Sequence, residues 1–144
     1  SYGGQVYSLL SMISDIQNSV LPVATIVQGK AMSCGAILMS FGNKGMRYMD
    51  PHATVMIHDI STGAWGKVEE IKADAKECER LQKKVYYMMA ANCGKSKTYF
   101  LKMIHDKGHA DWYLDADECL EHGLATSIGM PKFNVDINVD IKFE

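Results

Sequence analysis

An α/β domain built on a largely parallel sheet is expected from three features of the 144-residue chain. Short β-branched runs alternate with stretches of helical periodicity, as where Pro22-Val23-Ala24-Thr25-Ile26-Val27 precedes Met32, Ala36, Ile37, Leu38 and Met39. The first run is continuous rather than alternating and is stopped by Gly29, the mark of a strand covered on both faces. Composition is the third feature: 47% hydrophobic and 22% charged residues suit one globular domain and exclude a disordered chain. A single domain is therefore expected over residues 1–144.

After Gly3-Gly4, Val6, Leu9, Leu10, Ile13 and Ile16 recur at helical spacing, which predicts a helix over about residues 5–18. The strand at 22–27 is followed by a tight turn bearing Gly29 and by a buried helix of small and apolar residues that ends near Gly42. Residues 42–51 carry Gly, Asn, Asp and Pro and read mostly as loop, and Thr54-Val55-Met56-Ile57-His58 reads as a strand neighbouring the first. The longest helical pattern covers 67–92, with Ile71, Ala75, Cys78, Leu81, Val85, Met88 and Met89 on one face and Glu79 four residues before Lys83 on the other. A helix over about 96–105 follows, and Asp115 with Glu118 forms a capping pair before Cys119-Leu120. Over 134–143, Val135, Ile137, Val139, Ile141 and Phe143 alternate with polar residues, the pattern of a half-buried C-terminal strand.

Charge and cysteine usage narrow the function classes. Fifteen Lys and Arg against seventeen Asp and Glu give a net charge of −2, too even for a nucleic-acid footprint or a polybasic membrane-surface stripe. The longest apolar run, 21–27, falls far short of the ~18 residues of a membrane span. Cys34, Cys78, Cys93 and Cys119 match neither zinc-ligand spacing nor a dense disulfide framework, so a reduced intracellular protein is expected. The chain starts at Ser1 without Met and runs into Tyr2-Gly3-Gly4-Gln5, as though it began inside a motif.

The chemistry centres on Gly29-Lys30-Ala31-Met32-Ser33-Cys34-Gly35-Ala36, where glycines flank a serine between a buried strand and a buried helix. A hydroxyl at a helix N-terminus meets free backbone N–H groups and a favourable dipole, which suits a nucleophile whose attack generates an oxyanion. The same serine could instead serve as a helix N-cap between packing glycines. His58 closes the next strand and could take and return the serine proton, although a lone His at a strand end also serves as an ordinary hydrogen-bonded residue. A third group must orient it, and spacing does not choose among Asp59, Asp106, Asp111, Asp115 and Asp117. Cys34 offers a thiol beside Ser33 as a rival nucleophile. His105 and His109 are four apart, but Lys107-Gly108 interrupts a helix there, so a surface pair is expected rather than a metal site; His52 and His122 have no evident partners.

Together, Gly3-Gly4, the Ser33 turn, Val55-Met56-Ile57-His58, the long helix from about Gly66, and Asp111-Trp112-Tyr113-Leu114-Asp115-Ala116 through Glu121-His122-Gly123-Leu124 resemble the ClpP family of self-compartmentalising serine peptidases. The similarity runs in the family's order over nearly residues 1–128. It implies a ClpP/crotonase-like spiral of β-β-α units with a protruding handle helix at 67–92, by which two rings of seven subunits stack. It also implies Ser33 as nucleophile, His58 as general base and acid, Asp111 as its orienting carboxylate, and the backbone N–H groups of Gly4 and Cys34 as the oxyanion hole. The implied activity is endopeptidase hydrolysis of peptides and unfolded proteins in an oligomeric chamber, with no cofactor in the subunit and ATP used only by a partner AAA+ unfoldase. The implied setting is cytoplasmic, or else organellar or viral-host intracellular.

Three departures stand out: Tyr2 where the family's loop has Pro, Cys34 where it has Met, and Ile60-Ser61-Thr62-Gly63 in place of a Gln-Pro-Leu-Gly type of run. The family's segment before the Gly-Gly loop is missing from the matched stretch. Rival readings are a crotonase-like acyl-CoA enzyme, which would not require Ser33, His58 and Asp111 together, and a noncatalytic ring or assembly scaffold. A membrane-associated signal-peptide peptidase relative would use a lysine base, which the strand-end His58 disfavours.

Overall fold

The computed structural model describes residues 1–132. Eleven elements follow one another as α1 (Val6–Asn18), β1 (Thr25–Val27), β2 (Lys30–Met32), α2 (Cys34–Met39), β3 (Arg47–Met49), β4 (Thr54–Ile57), α3 (Val68–Asn92), α4 (Tyr99–Asp106), β5 (Trp112–Leu114), α5 (Ala116–Glu121) and β6 (Ser127–Ile128). The strands form two three-stranded sheets, ordered β1-β3-β6 and β2-β4-β5. All pairs are parallel except β4 with β5. Each of the first two turns of chain thus gives one strand to the first sheet, the next to the second, and then a helix. This is the β-β-α spiral that the motif order implied.

Leu9 and Ile13 of α1, Val55 and Ile57 of β4, Val85 and Met89 of α3, and Phe100 and Ile104 of α4 join one buried core. The first strand differs from its expected form. Val27 is buried and pairs in register with buried Met49, but Ile26, opposite Tyr48, is 41% exposed, so this sheet has a covered and an open face. Met32 belongs to β2 rather than to the following helix, and β4 pairs with β2 rather than with the first strand. Three-residue strands show no periodicity long enough to read, which is also why β3, β5 and β6 escape the sequence.

Within the expected loop at 42–51, β3 carries a buried Arg47 whose guanidinium donates to the carbonyls of Ser40 and Asn92, both at 3.1 Å. These carbonyls lie at the C-terminal ends of α2 and α3, where a cation is favoured. The helix α3 is inward-facing only in its second half, through Leu81, Val85, Tyr86, Met89 and Ala90. Its first half stands away from the core, with Val68 67% and Ile71 40% exposed. Its ion pairs join Glu69 to Lys72 and Glu77 to Arg80. The capping pair is present as expected: Asp115 accepts from the Glu118 N–H and Glu118 accepts from the Asp115 N–H, each at 2.9 Å. The alternating stretch at 134–143 lies outside the described residues.

Candidate active site

The turn between β2 and α2 places Ser33 in a backbone conformation with φ 54° and ψ −121°, a region that L residues with side chains rarely occupy. Two backbone bonds hold it there: the Ser33 N–H donates to Met56 O at 2.8 Å, and its carbonyl accepts from the Ile37 N–H at 3.2 Å to start α2. A serine N-cap would turn its oxygen onto that helix, but the Ser33 side chain makes no capping bond. Its Oγ lies 2.8 Å from His58 Nε2 instead. Strained serine, strand, sharp turn and helix together make the arrangement that exposes a hydroxyl for attack.

His58 follows β4 directly, and the Tyr86 hydroxyl of α3 fixes it by donating to its carbonyl at 2.5 Å. On the far side of its ring, Nδ1 lies 3.7 Å from an Asp111 carboxylate oxygen, within electrostatic reach and beyond a hydrogen bond. The antiparallel register explains the approach: Ile57 pairs with Trp112, so the next residue on one strand faces the preceding residue on the other. Trp112 is buried, packed edge-on against His122 with ring centroids 4.8 Å apart, and anchors that rung. Of the other carboxylates, Asp59 bonds to Gln82 and His109, Asp106 lies beside His105, and Asp115 caps α5.

The Gly3-Gly4 loop lies against the serine turn. Gly3 has φ +100°, and a Cβ there would sit 2.7 Å from Ser33 Cβ, 2.9 Å from Met32 O and 3.2 Å from the Cys34 nitrogen. Only glycine permits that approach. Among the described residues, the backbone N–H groups of Gly4 and of Cys34, the first residue of α2, donate to no backbone carbonyl. The Cys34 thiol donates to Gly4 O at 3.1 Å, and burial pushes its pKa up, so it is held as a thiol. A cavity of about 460 Å³ opens beside these groups, bounded by Val6 and Tyr7 of α1, Ile60, and Leu81 and Tyr86 of α3.

The Clp protease family model matches residues 1–132. The chain belongs to the Clp protease family. Among curated relatives, it is 38% identical over 123 residues to the chloroplastic ATP-dependent Clp protease proteolytic subunit 6 of Arabidopsis thaliana. The match covers 85% of this chain and 44% of that relative, so the chain spans less than half the relative's length.

In this Clp protease family member, several residues around the site were not legible beforehand. Tyr86 and Gln82 lie one turn apart on α3; Gln82 donates to Asp59 at 2.6 Å and accepts from the Ile60 N–H at 2.8 Å. Their helical spacing could have paired them, but nothing in the sequence tells what that face touches. His122 has partners after all: it is buried, bonded through Nδ1 to the Tyr99 hydroxyl at 2.7 Å, and burial lowers its pKa. Among the described residues no group of three or more His, Cys, Asp or Glu is arranged to hold a metal ion. His109 turns to Asp59, and its ring meets that of His105 edge-on at 5.6 Å.

Proposed function

We propose that the chain is a serine endopeptidase of the Clp proteolytic-subunit type, hydrolysing peptide bonds through an acyl-enzyme. The observation that carries this reading is the 2.8 Å contact between His58 Nε2 and the hydroxyl of Ser33 on its strained turn. With the Nδ1 proton directed at Asp111, Nε2 accepts the Ser33 proton as Oγ attacks the substrate carbonyl carbon. The carbonyl π pair moves onto oxygen, where the N–H groups of Gly4 and Cys34 serve as donors. Collapse breaks the C–N bond, and the imidazolium gives its proton to the leaving amine. Water, deprotonated by His58, then releases the acid and regenerates Ser33. Catalytic hydrogen bonds often tighten only when substrate binds, and the 3.7 Å gap to Asp111 is of that kind in this reading.

Family membership supports the coarser part of the proposal, and leaves the acyl-CoA reading without a supporting observation. The finer part comprises peptides and unfolded polypeptides as substrates, subunits in stacked seven-membered rings, no cofactor in the subunit, and ATP consumed by an AAA+ unfoldase. The poorly covered first half of α3 supports assembly. The four cysteines are free and the similar plant subunit is chloroplastic, which accords with an intracellular setting, cytoplasmic or organellar. No helix among the described residues is long and apolar enough to cross a membrane.

Ser33→Ala tests the reading directly. It should abolish hydrolysis of a fluorogenic peptide and labelling by a fluorophosphonate while leaving the circular dichroism spectrum unchanged, and a chloromethyl ketone should modify His58 in the unsubstituted protein. Undiminished labelling and turnover in the variant would falsify the assignment.

A further inference from the structure

The antiparallel ladder between β4 and β5 ends at Ile57 and Trp112, one residue short of His58 and Asp111. The register brings those two residues face to face, but the ladder has no rung of its own at that position. The next tie between the segments is made by side chains: His109 Nδ1 lies 2.5 Å from Asp59 Oδ2. Asp59 is itself pinned, since its other oxygen accepts from Gln82 Nε2 at 2.6 Å and Gln82 is bonded to the Ile60 N–H at 2.8 Å. The connection runs from α3 through Gln82 and Asp59 to His109, two residues before Asp111.

His109 also carries a backbone signature. Its φ is +60°, one of two such angles at non-glycine residues among those described, the other being Ser33. It follows Gly108 at φ +66° in the turn that closes α4, where the His109 N–H donates to Ile104 O at 3.0 Å. A side-chain-bearing residue in this conformation is strained relative to glycine and persists where surrounding contacts fix it.

We infer that His109 is a positioning residue: by clamping Asp59, it holds the turn that carries Asp111 against the end of the His58 strand. It touches no reacting atom. The inference rests on the reading of Ser33, His58 and Asp111 as a catalytic set, and it adds a second layer to that set in which Asp59 and Asp111 divide the work. Asp59 serves as the anchor and Asp111 faces the imidazole. Because the Asp111 carboxylate stands 3.7 Å from Nδ1, an approach of the turn by roughly 0.5–1 Å decides whether the two meet in a hydrogen bond.

Two substitutions separate the clamp from the backbone conformation. His109→Gly relieves the backbone and removes the donor; His109→Asn tolerates the backbone and keeps an N–H donor. The assay is peptide hydrolysis by the intact assembled protein, with histidine-selective 15N NMR of the His58 ring as a second readout. The expected result is a loss in kcat on the order of 10²-fold in His109→Gly with KM unchanged, recovery to within a few-fold in His109→Asn, and a matching shift and return of the His58 Nδ1 resonance. Full kcat and an unmoved His58 resonance in His109→Gly overturn the clamp, as does an equal loss in both variants. If the unsubstituted protein neither turns over peptide nor labels with fluorophosphonate, the hydrolase reading fails by itself, and the His58 resonance still decides the positioning role.

Discussion

Replacing Gly3 with Ala should disable the site without unfolding the protein, and the size of the effect follows from three contacts. A Cβ at position 3 would lie 2.7 Å from Ser33 Cβ, 2.9 Å from Met32 O and 3.2 Å from the Cys34 nitrogen, and the backbone there has φ +100°. None of the three neighbours yields readily. Met32 is held in the β2–β4 ladder, Ser33 in a strained turn, and Cys34 at the start of α2. The exposed loop must retreat instead, by roughly half an ångström or more to reach ordinary contact distances. Gly4 moves with it, and its N–H is one of the two proposed oxyanion donors. Losing one such donor lowers kcat by about 10²–10³, whereas strain confined to one half-buried loop residue costs about 1–3 kcal/mol. The assay is steady-state hydrolysis of a short fluorogenic peptide beside a thermal melt and fluorophosphonate labelling. Turnover in Gly3→Ala within twofold of the unsubstituted protein, with the melt unchanged, would refute both the loop displacement and the role of the Gly4 N–H.

Three further outcomes are expected. The Arg80 guanidinium, with help from the Tyr7 hydroxyl, lowers the Glu77 carboxyl from an ordinary 4.5 to about 2. A depressed carboxylate adds stability above its unfolded pKa and loses it as pH falls toward the folded value, so the tie from α1 to α3 should weaken between pH 4.5 and about 2. The melting temperature of Glu77→Gln should be flatter than that of the unsubstituted protein across that window. Cys34 should alkylate slowly with iodoacetamide at pH 8, because burial raises its pKa and its thiol is bonded to Gly4 O; rapid loss of this thiol in the folded protein would contradict that placement. Phe100→Ala, at a fully buried position, should cost about 3–5 kcal/mol, read as a fall in the urea midpoint.

The long helices were legible because their periodicity is long: α1, α3 and α4 fall within a few residues of their expected bounds. The Ser33 turn and the end of the His58 strand were legible because glycines and β-branched residues punctuate them. The three-residue strands were not, and with β2 went the partner of β4, since a single strand covers fewer than two full alternations. Choice among the aspartates was beyond spacing for a different reason. Asp59 is adjacent to His58 in sequence, but adjacent residues on an extended chain point to opposite sides, and Asp59 faces Gln82 and His109. Asp111, distant in sequence, is brought near the ring by strand pairing, which only the fold supplies.

The face of α3 shows how a correct period can still mislead. Ile71 and Ala75 belong to the same apolar stripe as Leu81, Val85 and Met89, but only the later residues enter the core, while Ile71 is 40% exposed. The helix is therefore anchored at one end. Between its free and anchored halves, Asp74, Glu77, Cys78 and Leu81, at positions i, i+3, i+4 and i+7, line the cavity beside Ser33, and Gln82 and Tyr86 further along grip Asp59 and the carbonyl of His58. Cleft wall and strand end thus share one rigid rod. A tilt of its outer half is transmitted along the hydrogen-bonded helix to both, so the width of the cleft and the placement of His58 cannot be set independently.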